Sequence, residues 1–165
     1  MAKTNTYKLE EHINDWVKAQ FKKLKLTNQI DYFTESAIPE FLKEALRGRA
    51  KTEKKTNFGK PDFSITKYKV PVVIENKLGT AKLISETKDG VKFDEKSISG
   101  FAVNGALHYA TGMIASGKYH EVIAIGIAGD SEDTITLKVY YVYGSGEKAF
   151  KLLDEVKTLH FLENE

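Results

Sequence analysis

Asp62, Glu75 and Lys77 are the residues of this 165-residue chain whose types and spacing best suit a chemical reaction. Asp62 directly follows Pro61, and twelve residues separate it from Glu75, which stands two positions before Lys77. Carboxylate oxygens are the ligands that Mg²⁺ prefers, and a lysine beside a metal-bound water can orient or deprotonate it. We therefore predict that Asp62 and Glu75 are metal ligands, with the carbonyl of Asn76 as a further ligand and Lys77 as the catalytic lysine.

Two predicted strands must position these residues. Proline followed by β-branched or aromatic residues marks both segments, GKPDFSI at 59–65 and VPVVIENKLG at 70–79. Side chains alternate along a strand, so Glu75 and Lys77 share one face and lie about 7 Å apart at Cα. If the first strand pairs alongside the second, Asp62 joins them and two carboxylates converge with one ammonium group.

The motif Pro-Asp, twelve residues, Glu-Asn-Lys resembles that of the PD-(D/E)xK nuclease superfamily. The segments GKPDFSI, VPVVIENKLG and AVNGALHYA are similar to the N-terminal endonuclease domains of type IIG and type I restriction-modification enzymes. This resemblance implies a restriction-endonuclease-like fold and Mg²⁺-dependent hydrolysis of double-stranded DNA in the restriction of foreign DNA, with Mn²⁺ as a possible substitute. It further implies that residues 1–165 form a single nuclease domain, the N-terminal part of a larger enzyme. The methyltransferase and specificity domains or subunits of that enzyme would lie outside this chain.

The remaining elements are predicted from hydrophobic periodicity. An α/β fold follows, with a mixed central β-sheet flanked by helices, because helical and strand patterns alternate along the chain. The apolar run at 121–130 has the character of a central strand that is buried on both faces. Helices are predicted over 9–24, 35–47, 97–116 and 150–159, and strands over 59–65, 70–79, 121–130 and 134–143, with a short hairpin between 79 and 96.

A basic segment precedes Asp62. Residues 43–60 contain seven basic and two acidic side chains, a net charge of +5 in a chain whose total is +2. Such a run is compatible with an ordinary solvated loop. Beside candidate metal ligands, it is also typical of a surface that contacts phosphate groups.

Three further polar residues have two possible roles each. Related nucleases often carry an additional metal-assisting glutamate before the aspartate strand, and Glu35 is the candidate, although a helix N-terminus also attracts a glutamate. Type I enzymes often carry Gln-x-x-x-Tyr in the central helix, where this chain has Asn104 and His108. These two side chains either satisfy neighbouring backbone groups or, in the case of His108, approach the scissile phosphate.

Composition narrows the function classes. The chain has no cysteine, which excludes disulfides and thiolate catalysis, and no apolar run is long enough to cross a bilayer. The N-terminal residues lack an apolar signal region, so a cytoplasmic location without membrane attachment is expected. No phosphate-binding glycine loop of the nucleotide-hydrolysing type is present. The alternative to a nuclease is a non-catalytic DNA-binding or assembly module with the same fold.

Overall fold

The fold is built on a six-stranded sheet. The computed structural model describes residue 8 and residues 10–51, 58–146 and 148–164. Within these ranges the strand order is β1-β2-β3-β6-β7-β8, and a separate two-stranded hairpin is formed by β4 and β5. The strands are β1 (Tyr32–Thr34), β2 (Phe63–Ile65), β3 (Val72–Leu78), β4 (Glu86–Thr87), β5 (Gly90–Val91), β6 (Val122–Gly129), β7 (Thr136–Val142) and β8 (Phe150–Val156). The helices are α1 (Glu10–Lys23), α2 (Glu40–Ala45), α3 (Glu95–Gly100) and α4 (Ala102–Ala115).

The sheet is mixed, as predicted. β3 and β6 run parallel, and the other neighbouring strands of the sheet pair antiparallel. A parallel pair needs a long crossover between its strands, and α3 and α4 lie within the segment that supplies it. The α/β class and the helix-flanked mixed sheet are therefore confirmed.

Two apolar layers cover the two faces of the sheet. On one face, α1 buries Ile13, Val17 and Phe21 against strand residues that include Ile74 and Ile125. On the other face, α2 and α4 pack against alternate strand residues such as Val73 and Ala124. The alternation along β3 directs Val73, Glu75 and Lys77 to the α4 face.

Helix α4 contacts both the sheet and another helix. It packs against β3 and β6, and it also contacts α2. A close approach to the sheet occurs at Gly126 of β6, where an added Cβ would lie 2.5 Å from the backbone nitrogen of Val103. A side chain at position 126 would push the helix away from the strand that adjoins Glu75.

The region around residue 35 differs from the prediction. The expected single helix over 35–47 is instead a 3₁₀ turn at Glu35–Ala37 followed by the short helix α2, and strand β1 precedes the turn. Pro39 is the N-cap of α2. The residue before it, Ile38, has an extended backbone (φ −73°, ψ 127°), because proline disfavours the helical conformation of its predecessor, and this separates the turn from α2.

Two other helix predictions are corrected. The helix expected over 97–116 is broken into α3 and α4 at Phe101, whose backbone is extended (φ −131°, ψ 138°). The C-terminal segment predicted as a helix is strand β8, which pairs with β7 along the edge of the sheet. Leu152 and Leu153 are both about half exposed, so β8 lacks the alternation that identifies a half-buried strand.

The remaining predicted elements are confirmed. Helix α1 and strands β2, β3, β6 and β7 lie within a few residues of their expected positions, and the hairpin β4–β5 turns at Lys88 and Asp89. In the part of the chain that the structure describes, none of the helices has the length and apolar character that crossing a bilayer requires.

Candidate active site

The pairing of β2 with β3 brings Asp62 and Glu75 together. Phe63 stands opposite Ile74 in this antiparallel pair, so continuing the register by one position places Asp62 opposite Glu75. Directly opposed residues of an antiparallel pair project to the same face with Cβ atoms about 5 Å apart. The two carboxylates therefore face each other, an arrangement that is unfavourable without a cation.

The backbone of β3 holds Asp62 in place. One carboxylate oxygen of Asp62, Oδ2, accepts a hydrogen bond from the backbone N–H of Asn76 at 2.8 Å. In a strand the N–H and C=O of one residue point to the same side, so the Asn76 carbonyl also points toward Asp62. Proline has no N–H, so Pro61, which precedes Asp62, cannot donate to that carbonyl. The Asn76 carbonyl is thus directed toward Asp62, and its role as a metal ligand stays a prediction.

Glu75 is buried in an environment that disfavours its charge. Its side chain is only 2% exposed, and its Oε1 atom has no hydrogen-bond donor among the described residues. Burial raises the pKa of Glu75 well above its ordinary value, and the nearby charge of Asp62 raises it further. The ammonium group of Lys51 lowers this pKa, because its Nζ lies 3.1 Å from Glu75 Oε2.

The charges of Asp62 and Lys77 act on two further glutamates, Glu10 and Glu35. Burial raises the pKa of Glu10 and of Glu35, and the charge of Asp62 raises both pKa values further, while Lys77 lowers both. Asp62 and Lys77 therefore influence the charge state of both glutamates, and the role predicted for Glu35 stays a prediction. Glu10 belongs to the site as well, although the sequence pattern places it on the outer face of α1.

Tyr109 and Lys51 are two further residues near the acid pair that sequence reasoning did not assign to the site. The ring of Tyr109 is buried in α4, and the Lys51 ammonium lies 5.5 Å from its centroid. Burial raises the pKa of Tyr109, and the charges of Glu75 and Asp62 add to this effect. The signals available in the sequence were a tyrosine in the central helix and a lysine within the basic segment.

Asn104 and His108 contact backbone groups. Asn104 accepts a hydrogen bond from the backbone N–H of Ser85 and donates to the carbonyls of Ser85 and Lys92, so it fastens the β4–β5 hairpin to α4. His108 Nε2 lies 2.9 Å from the carbonyl of Arg49, and because a carbonyl only accepts, this nitrogen carries the proton. Burial lowers the pKa of His108. Both contacts agree with the interpretation of these residues as partners of backbone groups.

The described part of the basic segment lies against α4. Lys54 and Lys55 fall outside the described residues. The side chain of Arg49 lies over Gly112, where an added Cβ would be 2.4 Å from Arg49 Cγ. The backbone N–H of Gly59 donates to the carbonyl of Leu46 at 2.9 Å, which joins the two ends of the segment. The two ends of the basic segment are therefore held together close to Asp62 and Glu75.

The donor set fits a hard divalent cation. Asp62, Glu75 and the Asn76 carbonyl offer only oxygen atoms, and Mg²⁺ is commonly bound by one or two carboxylates with water completing its shell. The unpartnered Oε1 of Glu75 supplies a buried acceptor that a cation would satisfy. Among the described residues, no group of three or more His, Asp or Glu side chains is arranged to hold a metal ion. The two-carboxylate arrangement is the candidate metal centre.

The fold and the site define a class of protein: an α/β domain with one buried and one half-buried carboxylate and adjacent lysines at the end of a strand pair. The chain is 36% identical over 126 residues to the type II restriction enzyme and methyltransferase RM.BcgI of Heyndrickxia coagulans. The match covers 75% of this chain and 19% of that protein, so the chain spans about a fifth of its curated relative. This similarity indicates a domain related to restriction enzymes. No family model and no solved structure matches the chain.

Proposed function

We propose that this chain is a Mg²⁺-dependent DNA endonuclease domain of the PD-(D/E)xK type, acting in restriction within a larger restriction-modification enzyme. The observation that carries this proposal is the pairing of half-buried Asp62 with buried Glu75, which lies two residues from Lys77 on one face of β3. The similarity to a fused restriction enzyme and methyltransferase supports it, because that relative combines restriction with methylation. The mixed sheet is compatible with a restriction-endonuclease-like fold.

In this proposal the chain's own residues divide the reaction between them. Asp62, Glu75 and the Asn76 carbonyl would hold the metal ion. When bound, the ion would polarise a phosphate oxygen and lower the pKa of a water molecule. Lys77 orients the attacking water and stabilises the negative charge that develops on the phosphate oxygens. Glu35, whose pKa is raised by burial and by the charge of Asp62, is the candidate residue for assisting at the metal. Double-stranded DNA is the proposed substrate, and methyltransferase and specificity regions are the proposed partners.

A non-catalytic DNA-binding or assembly module is the second candidate. The observation that favours it is the ion pair between Lys51 and Glu75, which partly neutralises the acid pair without any metal ion. A binding module gains nothing from metal affinity at Asp62, whereas a nuclease depends on it.

Calorimetric titration with Mn²⁺ separates the two candidates. We expect the wild-type domain to bind Mn²⁺ and the Asp62→Ala and Glu75→Ala variants to lose at least tenfold in affinity. Equal binding by all three proteins would contradict the nuclease assignment. Metal-dependent cleavage of duplex DNA by the full-length enzyme, lost in the same variants, completes the test.

A further inference from the structure

Lys51 occupies an unusual position for a lysine of a basic loop segment. Its side chain is 18% exposed, and its ammonium group donates to Glu75 Oε2, an atom of a side chain that is 2% exposed. Ordinary surface ion pairs hold both partners in water and contribute little. The Lys51 ammonium is instead turned inward, onto one of the two carboxylates proposed to bind the metal.

Residues of α4 form a binding position for the Lys51 ammonium. An added Cβ at Gly105 of α4 would lie 3.1 Å from both Cε and Nζ of Lys51, so the glycine leaves room for the lysine. The Tyr109 ring stands 5.5 Å from Nζ and attracts the cation through its π face. Gly105 and Tyr109, one turn apart on α4, thus form the binding position of the ammonium.

The chain segment that carries Lys51 is also fixed to α4. The carbonyl of Arg49 accepts the hydrogen bond from His108, and the backbone N–H of Arg49 donates to the carbonyl of Leu46 at 3.0 Å. Lys51 therefore starts from an anchored backbone two residues away. Its reach to Glu75 is set by the fold rather than by a freely moving surface chain.

A divalent cation and the Lys51 ammonium compete for the same carboxylate. Lys51 occupies Oε2 of Glu75, and two positive charges a few ångströms apart in a buried site repel each other strongly. We propose that Lys51 is a tethered counter-ion of the acid pair, which a divalent metal ion displaces when it binds Asp62 and Glu75. This proposal rests on the proposed function, because it assumes that the acid pair is a metal site.

The test is Mn²⁺ calorimetry without DNA, at pH 8.5, on the wild type and on Lys51→Met. Methionine keeps an unbranched apolar stem but removes the competing charge. We expect Lys51→Met to bind Mn²⁺ at least fivefold more tightly than the wild type. Its metal-free form should melt at a lower temperature and gain more thermal stability from saturating Mn²⁺. Lys118→Met is the matched control, because Lys118 pairs with Glu44 at 3.3 Å on the exposed surface and should leave Mn²⁺ affinity unchanged.

Lys51→Gln provides a second variant, and the only informative one if Lys51→Met does not fold. Glutamine can still donate a hydrogen bond to Glu75 but carries no charge, so it should also bind Mn²⁺ more tightly than the wild type. Unchanged or weaker binding by the folded Lys51 variants, with binding still lost in Asp62→Ala, overturns this inference and leaves the proposed function intact. Absence of Mn²⁺ binding in the wild type and the Lys51 variants alike overturns both.

Discussion

The carboxylate of Asp62 accepts a hydrogen bond from the backbone N–H of Asn76 at 2.8 Å. Asn76 separates Glu75 from Lys77, so the strand that carries two of the candidate catalytic residues also orients the third. A hydrogen bond to a charged acceptor is shorter and stronger than a neutral one. This contact therefore limits the positions that Asp62 can take relative to Glu75.

The first prediction concerns this contact. Asp62→Asn and Asp62→Ala both remove the negative charge, but only asparagine retains a carbonyl oxygen that can accept from Asn76. We expect Asp62→Ala to be less stable than Asp62→Asn by about 1–3 kcal/mol, because a buried N–H then lacks a partner. Urea denaturation of the two metal-free variants measures the difference. Equal midpoints would show that the hydrogen bond contributes nothing to stability.

The second prediction separates catalysis from metal binding. Lys77→Met removes the ammonium group but leaves Asp62, Glu75 and the Asn76 carbonyl in place. We expect DNA cleavage by the full-length enzyme to fall by about 10²-fold or more, as for loss of a group that moves or orients a proton. Mn²⁺ affinity and the circular dichroism spectrum should match those of the wild type. Undiminished cleavage would exclude Lys77 from the reaction.

The third prediction is a pH dependence of stability. The folded state raises the pKa of Glu75, so above about pH 4.5 the unfolded state loses this proton first and stability falls as pH rises. The stability that Glu75 contributes declines as the pH rises from its pKa in the unfolded state to its pKa in the folded state. The decline is at most about 1.4 kcal/mol per pH unit. Glu75→Gln removes the titration. We expect this variant to exceed the metal-free wild type in stability by a margin that grows between pH 4.5 and neutrality.

Comparing the pH dependence of stability in the wild type and in Glu75→Gln isolates the contribution of Glu75 from those of other titrating groups. Glu10 and Glu35 also have pKa values raised by burial, so they add the same sign of slope to both proteins. Parallel pH profiles for the wild type and Glu75→Gln would mean that Glu75 titrates normally in the folded protein. Saturating Mn²⁺ should reverse the difference, because a bound cation stabilises only the ionised glutamate.

The fourth prediction tests the approach of α4 to the sheet. Gly126→Ala places a Cβ 2.5 Å from a backbone nitrogen of the helix, which cannot rotate away. We expect destabilisation of about 2–3 kcal/mol, at the upper end for overpacked positions. Gly100→Ala is the control, since no atom lies within 4 Å of its added Cβ. The control should be unchanged or slightly more stable in thermal denaturation.

The local sequence pattern was sufficient to predict the strand β3 and the shared face on which Glu75 and Lys77 lie. The alternation of β3 and the proline at the entry of each strand are properties of neighbouring residues, and the structure reproduces them. The same local reasoning failed at β8, because an edge strand with exposed leucines on both faces shows no alternation. It also failed at Phe101, where the hydrophobic periodicity continues through a break in the helix.

The residues around the acid pair depend on contacts between segments far apart in the chain. Lys51 and Tyr109 meet at Glu75 only because α4 packs on the sheet face that carries the glutamate. The glycine at position 105, which leaves room for the lysine, has no meaning in sequence until that packing is known. The acid pair is a local property of one hairpin, whereas its electrostatic environment belongs to the whole fold.

Because β3 pairs in parallel with β6, we expect the β2–β3 hairpin and the packing around Glu75 to form at different stages of folding. The β2–β3 hairpin has low contact order and can form early, whereas the β3–β6 pair needs the whole crossover and closes a long loop at an entropic cost. We therefore expect Glu75 to become buried late, after the rate-limiting barrier. We expect the stabilisation in Glu75→Gln to slow unfolding and to leave the refolding rate nearly unchanged in stopped-flow measurements. A faster refolding limb would instead place the burial of this charge within the folding nucleus.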